Sequence, residues 1–263
     1  MLTNRPARNA VSFNPGLLIN AGLDEGAAGH VVAYAAATAA PTTVVRATAY
    51  VEPAAAAQLE VVSSNANDDG APAGTGTRTV RIVYYDGSCN GPFTTDVVMN
   101  GVTAVPTTPT DLRFIESICS LTVGSNGTNV GTITLRGLGG GALVGTIAAS
   151  DGRTYWGHHY IATGRIGQIL DVNGAFTLAK GSLFLRSIDV LTANAFELQI
   201  TPQLRLTPGA VGAAANPAPF QPTLVFPFGG LYVAGPARVT AYVDPDTAVA
   251  NNVAFVGFSY LDV

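Results

Sequence analysis

Residues 61–87 read VVSSNANDDGAPAGTGTRTVRIVYYDG: an apolar run, a loop dense in Asn, Asp, Gly and Pro, then an alternating run ending in tyrosines. Within the loop, Gly74-Thr75-Gly76-Thr77 has the look of a phosphate cradle. A Walker loop needs a lysine followed by Ser or Thr at the start of a helix, and here Arg78 and Thr79 open a strand-like run. A dinucleotide fingerprint also needs a helix behind its glycines. The stretch therefore reads as a connection between two strands. Asn67 and Asp68 suit Asx-turns there, and the glycines suit the positive φ that such turns use.

The same chemistry extends outward along the chain. Val80, Ile82 and Tyr84 alternate with Thr79, Arg81 and Val83. Phe93, Thr95, Val97 and Met99 alternate with Thr94, Asp96, Val98 and Asn100. From about residue 42 onward, short runs rich in Val, Ile, Thr, Tyr and Phe recur every ~8 to 14 residues between turn clusters, the pattern of an all-β sandwich or barrel. The closing run AFVGFSYL (254–261) is apolar on both faces and is expected inside a sheet rather than at its edge. Convincing helices are absent: PAAAAQLEVV (53–62) offers one turn after Pro53 before strand chemistry resumes. The Ala/Pro/Gly-rich stretch 207–222 is the longest loop expected. No linker divides the chain, so residues 36–263 are expected to form one antiparallel β-sandwich domain. Residues 1–35 carry Phe13, Leu17, Leu18 and Ile19 among Pro15, Gly16, Gly22, Gly26 and Gly29. So many breakers argue against a stable helix and point to an extended N-terminal arm or irregular loops, whose apolar residues are expected to dock on the chain's own domain or on a neighbour.

Composition narrows the function. The 263 residues hold 11% charged side chains, against roughly 25% in ordinary soluble proteins. Lys180 is the only lysine. A net charge of −4 with scattered arginines argues against nucleic acid as a partner. No run approaches the ~18 apolar residues of a membrane span, and the N-terminus has no secretory h-region. A surface so poor in charge is expected to be largely covered by other subunits. Cys89 and Cys119 make no metal spacing and read as free thiols, with a disulfide as the alternative.

Candidate chemistry is sparse. His158 and His159 are adjacent in WGHHY, so a strand sends them to opposite faces and a single metal cannot take both. One is expected near the core and the other toward solvent or a partner. Trp156, His158 and Tyr160 form an aromatic group that suits a core or a subunit interface, with a sugar platform as the alternative. Asn67, Asp68 and Asp69, or Asp244-Pro245-Asp246, could reach calcium but follow no EF-hand pattern, so the acids read as solvated turn residues. No GxSxG elbow occurs. The expectation is a protein that is not an enzyme and has no cofactor or metal.

Several segments together resemble structural proteins of tailed bacteriophage virions. They are Asn67-Asp68 followed by Gly74 to Val80, Asn100 to Val105, Gly124 to Thr134, DGRTYWGHHYIATGR (151–165), FPFGGLYVAGPARVTAYV (226–243) and VGFSYLDV (256–263). The resemblance covers about residues 58–263 and is densest over 61–135. It implies a jelly-roll-like β-sandwich, a virion location after assembly in the host cytoplasm, and a homotrimer that decorates and cements the major capsid protein lattice. A tail, collar or fibre protein that contacts host glycans is the alternative, and a glycan-active enzyme on a β-sandwich a third. Under the leading reading the partner-facing residues are Phe13, Leu17, Leu18, Ile19, Trp156, His158 and Tyr160.

Overall fold

The computed structural model describes residues 27–36, 43–178, 181–192, 198–199, 204–206, 223–225, 231–247, 249–250 and 253–263. Phe13, Leu17, Leu18 and Ile19, like the whole of the 207–222 loop, lie outside them. The strands in chain order begin with β1 (Ala27–Ala36), β2 (Thr43–Val44), β3 (Leu59–Ser63), β4 (Thr77–Tyr85), β5 (Phe93–Val98) and β6 (Val105–Pro106). Next come β7 (Phe114–Val123), β8 (Ile133–Gly137), β9 (Leu143–Ile147), β10 (His158–Ile161), β11 (Ile166–Phe176) and β12 (Gly181–Asp189). The last are β13 (Leu198–Gln199), β14 (Leu204–Leu206), β15 (Thr223–Val225), β16 (Leu231–Ala234), β17 (Ala237–Pro245) and β18 (Val253–Asp262). The described residues contain no helix, and every strand pairing is antiparallel.

Four sheets result. A three-stranded sheet β5-β4-β7 and a four-stranded sheet β6-β3-β8-β9 lie in the middle of the sequence. A five-stranded sheet runs β1-β18-β11-β15, with β16 also on β11, and a six-stranded sheet runs β10-β17-β12-β13, with β14 on β12 and β2 on β17. The buried apolar residues fall into two clusters, where the sequence led us to expect one. The first joins the three- and four-stranded sheets through Val80, Ile82, Phe114, Ile118, Leu59 and Ile133. The second joins the five- and six-stranded sheets through Ala33, Phe258, Val172, Leu183, Val239 and Val243. Fully burying a Val, Leu, Ile or Phe side chain contributes about 1.5–3 kcal/mol, so each cluster can hold its own pair of sheets together.

Residues between β2 and β10 thus form a sandwich inserted into a larger one. The chain enters the insert through Val45–Tyr50 and leaves it through Tyr155–Gly157, and the two crossings run side by side. The Val45 N–H donates to the Ala241 carbonyl (3.1 Å), Gly157 N–H to the Val45 carbonyl (2.8 Å), and Ala47 N–H to the Tyr155 carbonyl (3.0 Å). Arg46 and Trp156 form a β-bridge. A Cβ on Gly157 would meet the Val45 carbonyl and the side chains of Ala241 and Ala33, so glycine lets the three strands close up.

Local alternation is as the sequence suggests. Val80, Ile82 and Tyr84 are buried, as are Thr95, Val97 and Met99, while Thr94, Asp96 and Val98 are exposed. The closing strand β18 lies between β1 and β11, inside its sheet as expected. The N-terminal region departs from expectation. Residues 27–36, counted above into an arm, form the ten-residue strand β1, paired along its whole length with β18 from Ala27↔Asp262 to Ala36↔Val253. Gly29, one of the breakers in a helix reading, has a packing reason in the strand, because a Cβ there would run into the Tyr260 ring. Both cysteines are free: Cys89 is buried and Cys119 lies on β7.

Candidate functional site

The polar side chains concentrate where the inserted sandwich meets the larger one, and β10 is the element that places them. Its residues alternate between faces. Tyr160 joins the first core and Ile161 the second. His158 donates from Nε2 to the Ile115 carbonyl of β7 (3.0 Å) and stacks near Trp156 with ring centroids 5.6 Å apart. Burial, and then the charge of Arg46, hold the His158 pKa well below its ordinary value, so the ring is neutral.

His159 points the other way into a closed ionic triad. Its Nδ1 meets Glu116 Oε1 of β7 at 3.1 Å, and its Nε2 meets Asp262 Oδ2 of β18 at 2.9 Å. The Tyr260 ring lies flat on it at 3.5 Å between centroids. Burial alone would push this imidazole pKa down. The Glu116 charge and the hydrogen bonds to Asp262 and Glu116 overcome it and raise the pKa to about 9. A protonated imidazole therefore joins strands of three different sheets at neutral pH. With both nitrogens committed and the side chain only 2% exposed, it is built as a clamp rather than as a general base.

On the other side of β10 a chain of hydroxyls runs through the interior. The Ile115 N–H donates to the Tyr50 hydroxyl (3.1 Å), which lies 2.9 Å from the Tyr160 hydroxyl, which in turn donates to Glu52 Oε2 (2.9 Å). Arg238 of β17 donates from Nη1 to the same Glu52 oxygen (2.7 Å), and Arg113 approaches Glu52 Oε1 at 3.8 Å. Burial pushes the Tyr50 pKa up to about 12 and the Tyr160 pKa well above its usual value, so both hydroxyls keep their protons.

These contacts decide between the readings of the aromatic group. Trp156 is 4%, His158 1% and Tyr160 0% exposed within a single chain. They occupy the seam inside the molecule, which corrects their assignment to a partner-facing surface and removes Trp156 as a sugar platform. The expectation that one of the two histidines faces outward also fails, because the insert covers one face of β10 and the carboxylate pair the other. A cleft of about 350 Å³ opens beside the seam between β1 and β7, lined by His30, Val32, Glu116, Cys119, Arg153 and Trp156 among others. Burial raises the Cys119 thiol pKa, which makes it a poor nucleophile. Among the described residues no group of three His, Cys, Asp or Glu is placed to hold a metal ion.

The 61–87 loop proves to be a second polar centre. Asp68 is fully buried, not a solvated turn acid. Its Oδ1 accepts from the Thr77 N–H (2.8 Å) and Val130 N–H (2.9 Å), and its Oδ2 from the Gly131 N–H (2.9 Å) and the Ser63 hydroxyl (2.6 Å). Donors surround the carboxylate, so a cation would meet their hydrogens, and the calcium alternative is removed for Asp68. The Asx-turns fall instead on Asn65 and Asp69, which accept from the Asn67 and Ala71 N–H groups. Gly74 and Gly76 have no positive φ, contrary to expectation. They are glycines because a Cβ on Gly74 would run into the Asn67 carbonyl and one on Gly76 into Asp68 Oδ1. Gly76→Ala is therefore expected to lower stability by about 1–3 kcal/mol, as overpacking does, in a chemical denaturation series. A loss below a few tenths would show that the loop has room.

Sequence reasoning missed Glu52, Glu116, Arg238 and Asp262 as members of these centres. Glu52 and Arg238 are 186 positions apart, and His159 and Asp262 are 103 apart. No local spacing signals such pairs.

Comparison with known proteins adds little to this geometry. The sequence matches no family model and no curated protein. Among solved structures, the chain is similar to the structure of infectious bursal disease virus Gt strain at 9% identity over 91% of this chain and 72% of that one, with a TM-score of 0.23. The Gx strain of the same virus gives 13% identity over 99% and 87%, with a TM-score of 0.19. The T=1 particles derived from that virus give 9% over 91% and 69%, with a TM-score of 0.20. At such TM-scores the likeness carries no argument, and the all-β architecture rests on the strands themselves.

Proposed function

We propose that this chain is a structural protein of a virus particle, a decoration protein that binds and cements the major capsid lattice of a tailed bacteriophage. The observation that carries the reading is an apolar patch on the outer face of the five-stranded sheet. Tyr34 and Phe255 are cross-strand partners with ring centroids 6.1 Å apart, and Tyr155 lies 5.3 Å from Tyr34. Val32 and Phe255 are 47% and 45% exposed. β1 itself carries no Asp, Glu, Lys or Arg, and the charges that touch these rings are Asp151, which accepts from the Tyr34 hydroxyl, and Arg153, which lies over the Tyr155 ring at 5.0 Å. A contiguous aromatic patch on a charge-poor chain suits an interface that is covered after assembly. Contacts made only in the assembled shell would stabilise it by mass action. The resemblance to phage virion proteins in residues 58–263 supports the same reading, and a homotrimer fits the charge-poor surface.

The test is co-sedimentation with purified capsids that lack the protein. Val32→Asp combined with Phe255→Asp is expected to weaken binding at least about tenfold, with the melting temperature almost unchanged because both side chains are exposed. Removal of residues 1–26, which leaves β1 intact, is expected to weaken attachment as well. Unchanged binding by both variants sinks the proposal. Copy number per particle separates it from the tail or collar alternative: hundreds support decoration, and six or twelve support the alternative.

A further inference from the structure

The seam holds more positive charge than it neutralises. Arg46, Arg113 and Arg238 converge on the Tyr50–Tyr160–Glu52 chain. Arg46 donates from Nη1 to the Tyr50 carbonyl (3.1 Å) and lies over the Tyr50 ring at 5.3 Å, and Arg238 lies over the Tyr160 ring at 6.0 Å. Glu52 is the carboxylate that pairs with two of them, accepting from Arg238 and lying 3.8 Å from Arg113. The nearby Glu116 has both oxygens committed, to His159 and to the Tyr160 N–H. His158, the other ionisable neighbour, is neutral. Around Glu52 three guanidiniums meet one carboxylate, while the His159 triad across β10 sets two carboxylates against one imidazolium, so the excess positive charge is confined to the Glu52 side.

Those guanidiniums are also short of partners. Among the described residues, Arg46 Nε, Arg113 Nη1 and Arg238 Nε are buried without a hydrogen-bond partner. Like charge adds to the imbalance, since burial and then the Arg238 charge both depress the Arg46 pKa. Arginines so placed are costly unless an anion compensates them. The cluster remains within reach of solvent, because the side chains of Arg113, Arg238 and Glu52 are 20%, 17% and 24% exposed. The neighbouring Val51 is 53% exposed and gives the opening an apolar rim.

We propose that Arg46, Arg113 and Arg238 form an oxyanion-binding site at the seam, in which Glu52 occupies part of the space that a carboxylate or phosphate group of a ligand would take. The planar guanidinium fork matches either group through paired N–H donors. Glu52 acts as an internal competitor that holds the arginines in place between binding events. The site is independent of the virion reading, since it follows from charge balance within one chain.

The test uses the full chain and calorimetric titration at constant ionic strength, with inorganic phosphate in one arm and acetate in the other against a chloride background. Saturable binding of either anion supports the site. Phosphate alone assigns a phosphate-bearing ligand, and acetate competing at similar concentration assigns a carboxylate. Arg113→Gln, which removes a guanidinium that Glu52 holds only at 3.8 Å, is expected to weaken binding about tenfold, and Glu52→Gln to tighten it about tenfold by removing the competitor. A merely structural cluster would not bind more tightly on losing Glu52. Absence of saturable binding in both arms, or an affinity unmoved by Glu52→Gln, overturns the proposal.

Discussion

Asp68→Ala is expected to lower the unfolding free energy by roughly 3–5 kcal/mol, from the loss of hydrogen bonds to a buried charge and the donors left unpaired. Four donors converge on this carboxylate, three of them backbone N–H groups of Thr77, Val130 and Gly131. They come from β4 and from the segment that leads into β8, so Asp68 ties one sheet of the inserted sandwich to the approach of the other. Asp68→Asn keeps an acceptor for Thr77 and Val130 but turns an amide toward Gly131 and Ser63, and should fall between wild type and alanine. Urea denaturation checks the series, and a loss under about 1 kcal/mol for alanine would mean that water replaces the carboxylate without strain.

The second large effect lies at His159. His159→Gln removes the cation between the partly buried Glu116 and the buried Asp262 and leaves their carboxylates facing each other, which is expected to cost about 3–5 kcal/mol. The pH dependence has a definite sign. The pKa is raised in the folded protein to about 9 from an ordinary 6.5. The stabilisation is therefore fully present below pH 6.5 and is lost as pH rises through about 9, a loss of roughly 3 kcal/mol for this group. Melting curves from pH 6 to pH 10 should show wild type losing its advantage over the variant across that window. Parallel curves would mean that the imidazole is neutral in the fold.

Much of the strand pattern was legible in the sequence, because alternation over six to ten residues is a local property. Thr94, Asp96 and Val98 are exposed opposite Thr95, Val97 and Met99 as read, and the two-sided apolar run of β18 did mark an interior strand. What was not legible depends on partners far along the chain. No linker announces the inserted sandwich, since its ends, Val45–Tyr50 and Tyr155–Gly157, are ordinary strand-forming residues that bond to one another. Adjacent histidines do point to opposite faces, but a sequence does not tell that both faces of β10 are covered. The Asn/Asp/Gly loop was recognisable as a connection. Its glycines and Asp68 serve close approach and a buried carboxylate, which resemble ordinary turn chemistry until the distant Val130 and Gly131 are placed beside them.

The side-by-side crossings have a mechanical consequence. A load drawn along the polypeptide arrives at Val45 and departs at Gly157, and these residues are joined directly by a hydrogen bond and to β17 by two more. The stem thus carries tension in parallel with everything between its ends. Force reaches the inserted sandwich only after the stem has opened, so the larger sandwich acts as a strain relief for the smaller one.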